Sequence, residues 1–208
     1  MRLTRRIKNA FFLLIQKVNN TEQILSPPYI SSLKPIYESY GVTKLKLLNS
    51  ISLDLGAGGN LRNPFGCDQI FGVDIVSDPS KNILGADLVL GPIPCDSNTF
   101  DYVTSYDFLE HLPRIIYVPH RRLPFIEIMN EIFRVLKPGG LFLSHTPIFP
   151  YNSAFRDPTH VNILTSETFP LYFDDVNNWG KIYGFNGKFK VLEQFIKPPH
   201  LISILQKI

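Results

Sequence analysis

The clearest chemical signal is a glycine-rich turn with an acid about 20 residues beyond it. Gly56 and Gly58 follow a short apolar segment that contains Asp54, and Asp74 closes the next apolar segment. Glycines let the backbone approach a ligand without a Cβ clash. A carboxylate at the end of a second strand can accept hydrogen bonds from both hydroxyls of a ribose. The spacing therefore predicts a site for a nucleoside-containing ligand.

The glycine spacing bears on which ligand this is. A dinucleotide-binding loop needs a third glycine where this chain has Leu61, and the extra glycine is Gly59 instead. A turn of this kind suits S-adenosylmethionine, which needs no cradle for a pyrophosphate. An NAD-type oxidoreductase or epimerase remains an alternative, as does a module that binds S-adenosylmethionine without catalysis.

The elements that must position this turn follow in a fixed order. An acid follows a third short strand (Gly85-Ala86-Asp87-Leu88), and a fourth strand (98–105) is entered through Phe-Asp. The segment Asp107–Leu112 comes next. A helix (126–136) is then stopped by Lys-Pro-Gly-Gly (137–140), and a further strand (141–144) follows. Two closing strands are predicted near 188–196 and 201–206. The Pro and Gly between residues 60 and 67 oppose a long helix, so we expect a loop as the first crossover.

In this order, the motifs resemble those of the class I S-adenosylmethionine-dependent methyltransferases of type 11 over roughly residues 45–150. The resemblance implies an α/β, Rossmann-like fold with a seven-stranded, mostly parallel sheet and an antiparallel last strand. We expect an N-terminal helical cap over 1–45 and the catalytic domain over 46–208, of which 150–185 would cover the substrate.

The resemblance also implies which residues hold S-adenosylmethionine. Asp54 would face the methionine amino group, Asp74 the ribose hydroxyls and Asp87 the adenine amine, although Asp87 could instead be a turn-capping acid. Ile75 and Leu88 would pack near the adenine, and Ser105 and Tyr106 would touch the methionine end. The full predicted set is Asp54, Gly56, Ala57, Gly58, Asp74, Ile75, Asp87, Leu88, Ser105 and Tyr106.

Methyl transfer to an alcohol is an in-line displacement that needs a base. The catalytic candidates are His160, His111 and His145, and Asp157 could orient the His160 ring. Residues expected to bind the acceptor are Tyr151, Phe155, Arg156 and Asp157. The segment 156–162 resembles one found in methyltransferases of polysaccharide assembly, so we expect O-methylation of a small molecule or of a sugar or glycan intermediate.

Composition sets broader limits. The chain has 208 residues, 44% hydrophobic and 19% charged, and two cysteines without metal-type spacing. We therefore expect one domain in a reducing, cytoplasmic compartment and no metal. The first 20 residues are basic and amphipathic, which fits a packed cap helix or contact with anionic lipid at the inner face of a membrane. We expect no nucleic-acid partner, because aromatic residues are not interleaved with these charges. The oligomeric state is left open.

Overall fold

The computed structural model describes residues 26–208. The basic segment of the first 20 residues, with its predicted lipid contact, lies outside them. The helices are α1 (Lys34–Tyr40), α2 (Val42–Leu45), α3 (Pro124–Val135) and α4 (Thr168–Tyr172). The strands are β1 (Ile51–Leu55), β2 (Gln69–Asp74), β3 (Ile83–Gly85), β4 (Phe100–Tyr106), β5 (Leu136–Pro147), β6 (Phe189–Lys197) and β7 (His200–Lys207).

The strands form one seven-stranded sheet in the order β3-β2-β1-β4-β5-β7-β6. All neighbours from β3 to β5 pair in parallel, whereas β7 is antiparallel to both β5 and β6. The predicted architecture is thus confirmed. The strand order reverses between β1 and β4, and ligands of open α/β sheets bind at the carboxyl ends of the strands at such a point.

The first crossover is a loop, as its Pro and Gly content predicted. Two hydrogen bonds between the Asn63 side chain and the Cys67 backbone stabilise this loop. The amide nitrogen donates to the Cys67 carbonyl at 2.9 Å, and the amide oxygen accepts from the Cys67 N–H at 2.8 Å. Helix α3 follows β4 and buries one stripe, consisting of Phe125, Ile128, Met129, Ile132 and Val135, against the sheet. On the opposite face Ile36 of α1 packs with Phe65 and Tyr102.

Three predicted element boundaries are wrong. Strand β5 begins at Leu136 and ends at Pro147, so Lys-Pro-Gly-Gly lies in the strand and α3 ends at Val135. The cause is a register irregularity, because the strand pairs Leu136 with Phe100 and resumes at Leu141 with Tyr102. His145 consequently lies within β5 and not after it. His111 ends a single 3-10 turn (109–111).

Between residues 26 and 208, none of the helices combines the length and apolar character needed to cross a bilayer.

Candidate active site

A cavity of about 400 Å³ lies at the carboxyl ends of β1 to β3. We call it the cofactor cavity. Five of the residues predicted to bind the cofactor are in its wall, together with Phe108, His111 and Thr159. Those five are Gly56, Asp74, Ile75, Asp87 and Leu88. The fold therefore brings together residues that the sequence separates.

The glycine turn is held in a conformation that few other residues adopt. Gly56 has a φ of 67°, and a Cβ at this position would lie 2.9 Å from the Phe108 side chain. The Gly58 N–H donates to Asp74 Oδ2 at 2.8 Å, and the Ile75 N–H donates to Asp74 Oδ1 at 2.8 Å. The Asp74 carboxylate is thereby fixed at the cavity wall.

Asp54 is fully buried below the turn. Thr104 Oγ1 donates to its Oδ1 at 2.7 Å, and the Arg62 N–H donates to its Oδ2 at 3.1 Å. Burial raises the pKa of Asp54 despite these hydrogen bonds. These contacts hold the segment of Arg62 against the end of β1.

Asp87 makes the turn-capping contact that the sequence also allowed, because its Oδ1 accepts from the Val89 N–H at 2.9 Å. It lies in the cavity wall as well. Capping leaves Oδ2 available, so the two roles are compatible.

At the end of β4 the predicted methionine contacts, Ser105 and Tyr106, differ in surroundings. Ser105 is buried and its hydroxyl has no hydrogen-bond partner within the described part of the chain. Tyr106 shares a hydrogen bond with the Tyr37 hydroxyl at 3.1 Å, and the Arg62 guanidinium lies 4.9 Å from its ring centre. Burial raises the pKa of Tyr106 well above its ordinary value.

Two of the three candidate histidines meet. The His111 and His160 rings are edge-to-face with centres 4.8 Å apart, and together with Glu110 they form what we call the Glu110 cluster. Glu110 is buried; its Oε2 accepts from Thr146 Oγ1 at 2.9 Å, whereas its Oε1 has no partner between residues 26 and 208. Burial raises the pKa of Glu110.

His145 lies elsewhere, in what we call the Asp107 cluster of Asp107, His145 and His200. His200 Nε2 lies 2.9 Å from Asp107 Oδ1, and His145 Nδ1 lies 3.8 Å from the same oxygen. Burial acts to raise the pKa of Asp107, but its contacts with the two histidines outweigh burial and hold it well below the ordinary range.

The residues predicted to bind the acceptor do not all lie in one place. Asp157 Oδ2 lies 3.8 Å from His160 Nε2, so Asp157 is beside the Glu110 cluster. Tyr151 instead shares a hydrogen bond with Tyr29, and Phe155 packs edge-to-face on Phe149. Arg156 is exposed, and its backbone N–H donates to the Asn152 carbonyl at 2.9 Å.

Sequence reasoning assigned no role to several residues of this region, namely Arg62, Phe108, Glu110, Thr159 and His200. Glu110 stands beside His111 in a motif that was noticed, which is a signal that could have marked it. No local pattern marks His200, because its partners are far away in the chain: Asp107 follows β4, and His145 lies in β5.

A family model described as "Methyltransferase domain" matches residues 53–144. These residues are thus similar to methyltransferase domains, as the sequence motifs predicted. They run from β1 into β5 and include every predicted cofactor residue.

Comparison with other methyltransferase-fold proteins adds detail. Squalene methyltransferase 2 of Botryococcus braunii is 28% identical over 105 residues, which cover 50% of this chain and 25% of that protein. The chain thus spans about a quarter of this curated relative. Among solved structures, the cyclase SpnF superposes with a TM-score of 0.54 at 15% identity, covering 84% of this chain and 79% of its own. A SAM-dependent methyltransferase from Archaeoglobus fulgidus gives 0.50 at 15% identity, covering 85% and 95%. These two likenesses establish the fold only.

Proposed function

We propose that the protein binds S-adenosylmethionine in the cofactor cavity and methylates a hydroxyl oxygen of a small molecule, such as a sugar or glycan intermediate. The observation that carries this proposal is that two acids and a histidine, Asp74, Asp87 and His111, line one cavity. The acids suit ribose hydroxyls and an adenine amine. The ring of a second histidine, His160, lies 4.8 Å from that of His111, and histidine suits proton removal from an alcohol.

The residues of the cavity fit the cofactor's parts. Nothing lies within 4 Å of the place where a Cβ of Gly58 would stand, so the turn is open there, and Ile75 is 74% exposed and offers an apolar surface for adenine. The Arg62 guanidinium, 3.7 Å from Asp54 Oδ2, would bind the methionine carboxylate. Bound there, S-adenosylmethionine would supply an electrophilic methyl group on a positively charged sulfur.

We assign the base to His160. The imidazole is close to Glu110 and to Asp157, whose carboxylates can orient its ring. His160 would accept the proton of the acceptor's hydroxyl, whose oxygen would receive the methyl group that bound S-adenosylmethionine supplies. His111 holds the neighbouring wall, with its Nδ1 2.9 Å from Thr159 Oγ1.

An apolar acceptor is the second candidate, and a second cavity favours it. This cavity of about 370 Å³ has Asn162 in its wall, whose backbone N–H donates to the Glu110 carbonyl at 2.9 Å. Its wall is otherwise largely apolar or aromatic, with Ile115, Leu123, Phe125, Ile126, Tyr172, Phe173 and Tyr183. Such a cavity suits a hydrocarbon, and the curated relative described above is named for squalene.

Calorimetric titration with S-adenosylhomocysteine, with NAD in parallel, tests the cofactor assignment. Micromolar binding of S-adenosylhomocysteine alone supports it, and binding of NAD alone or of neither ligand contradicts it. Transfer of labelled methyl from S-adenosylmethionine to a panel of sugars, glycan fragments and isoprenoid alkenes then tests the acceptor. Labelling of alkenes and of no hydroxylated compound would reject O-methylation.

A further inference from the structure

Three side chains converge at the carboxyl edge of the sheet, apart from the residues that line the cofactor cavity. Asp107 directly follows β4, His145 lies near the end of β5 and His200 begins β7. One nitrogen of each histidine and one oxygen of Asp107 all lie within 4.8 Å of one another. Groups anchored on paired strands hold their geometry better than groups on loops.

The two separations measured within this Asp107 cluster bracket the distance between two ligands of one ion. Asp107 Oδ1 lies 2.9 Å from His200 Nε2 and 3.8 Å from His145 Nδ1. The second distance is too long for a hydrogen bond, and His145 Nδ1 is buried without a partner among residues 26–208. Two ligands each about 2.1 Å from a tetrahedral ion lie about 3.4 Å apart. A central ion would therefore satisfy the buried nitrogen that the protein leaves unpaired.

The surroundings fix the two rings and leave one side accessible. The His145 ring stacks on His200 with centres 4.2 Å apart and also contacts Tyr106, with centres 5.2 Å apart. The Asp107 N–H donates to the His145 carbonyl at 2.9 Å, which ties the acid to β5. The histidine side chains are 14% and 23% exposed, whereas that of Asp107 is 52% exposed.

We propose that Asp107, His145 and His200 bind one divalent first-row transition-metal ion. Two imidazoles and one carboxylate form a donor set that such ions accept while keeping open positions. Such open positions would be available to water or to an oxygen of the acceptor. This last role rests on the proposed function, whereas metal binding itself does not.

The test is a titration of the full chain, freed of metal with a chelator, with Co²⁺ alone. The d–d absorption of Co²⁺ reports ligand number and geometry, and calorimetry with Zn²⁺ gives the affinity. We expect one equivalent to bind, and His200→Ala and Asp107→Asn to weaken binding by on the order of 100-fold. His120→Ala is the matched control, because His120 is exposed and outside both clusters; its affinity should be unchanged.

Calorimetry with S-adenosylhomocysteine on each variant separates misfolding and cofactor failure from loss of the metal site. If His200→Ala does not bind S-adenosylhomocysteine as the wild-type chain does, His200→Gln is used in its place. Absence of stoichiometric Co²⁺ and Zn²⁺ binding to the wild-type chain overturns the proposal. So does binding that survives in His200→Ala and is lost in His160→Ala, because the ion would then lie in the Glu110 cluster.

Discussion

Leu61 fills the space directly above Gly72, so that a Cβ at Gly72 would overlap Leu61 Cδ2 and lie 2.9 Å from the Ala57 Cβ. In dinucleotide-binding loops, a third glycine permits close packing of helix and strand. Here the loop carries Leu61 at that place, and the small residue is on β2 instead. The loop and the strand still pack closely, but the glycine that allows this is on the strand and not in the loop.

Replacing Gly72 with Ala should therefore destabilise the fold, by about 1–3 kcal/mol, because the new methyl overpacks a filled site. Chemical denaturation monitored by circular dichroism measures this. Gly91→Ala is the control, since the atom nearest to a Cβ added at Gly91 would be 3.9 Å away. Adding Leu61→Ala should recover part of the loss; no recovery would mean that Leu61 is not the obstructing group.

Asp74→Ala should weaken S-adenosylhomocysteine binding by about 10- to 100-fold, since each hydrogen bond to a charged group contributes about 1.5–3 kcal/mol. The same change frees the Gly58 N–H, so a thermal melt must accompany the calorimetry. Asp96→Asn is the control, because Asp96 is exposed and outside the cavity. Equal affinity in wild type and Asp74→Ala would remove Asp74 from the ribose site.

His160→Ala should lower kcat by about 100- to 10,000-fold, the usual range for general-base catalysis, with little change in S-adenosylhomocysteine affinity. Steady-state methyl transfer to the identified hydroxyl acceptor measures it, with His120→Ala as the exposed control. If activity in His160→Ala rises with pH toward the wild-type value, hydroxide is replacing the base. Unchanged kcat at neutral pH would exclude His160 as the base.

Glu110→Gln should raise the free energy of unfolding at pH 8 and change it less at pH 4. Burial raises the folded-state pKa of Glu110, so ionisation costs folded stability. Below the unfolded pKa both states are protonated and the cost disappears; above the folded pKa the full cost is present. Urea unfolding at both pH values tests this, with exposed Glu167→Gln as the control. A larger gain at pH 4 than at pH 8 would contradict the sign.

Local sequence predicted the elements well where a side-chain pattern is itself the cause of structure. The apolar stripe of α3 needed no partner to be recognised. The predicted start of β5 was wrong, because pairing of Leu136 with Phe100 extends the strand through residues that would otherwise end a helix.

The sequence by itself determined the fold class and the acids of the cofactor cavity, since glycine turns and strand-terminal acids act through local backbone geometry. Only the tertiary structure decided which histidines act together. His111 meets His160 across a turn, and His145 meets His200 across the antiparallel pair of β5 and β7. Such contacts depend on strand order and register, which place distant residues side by side. No spacing along the chain encodes them.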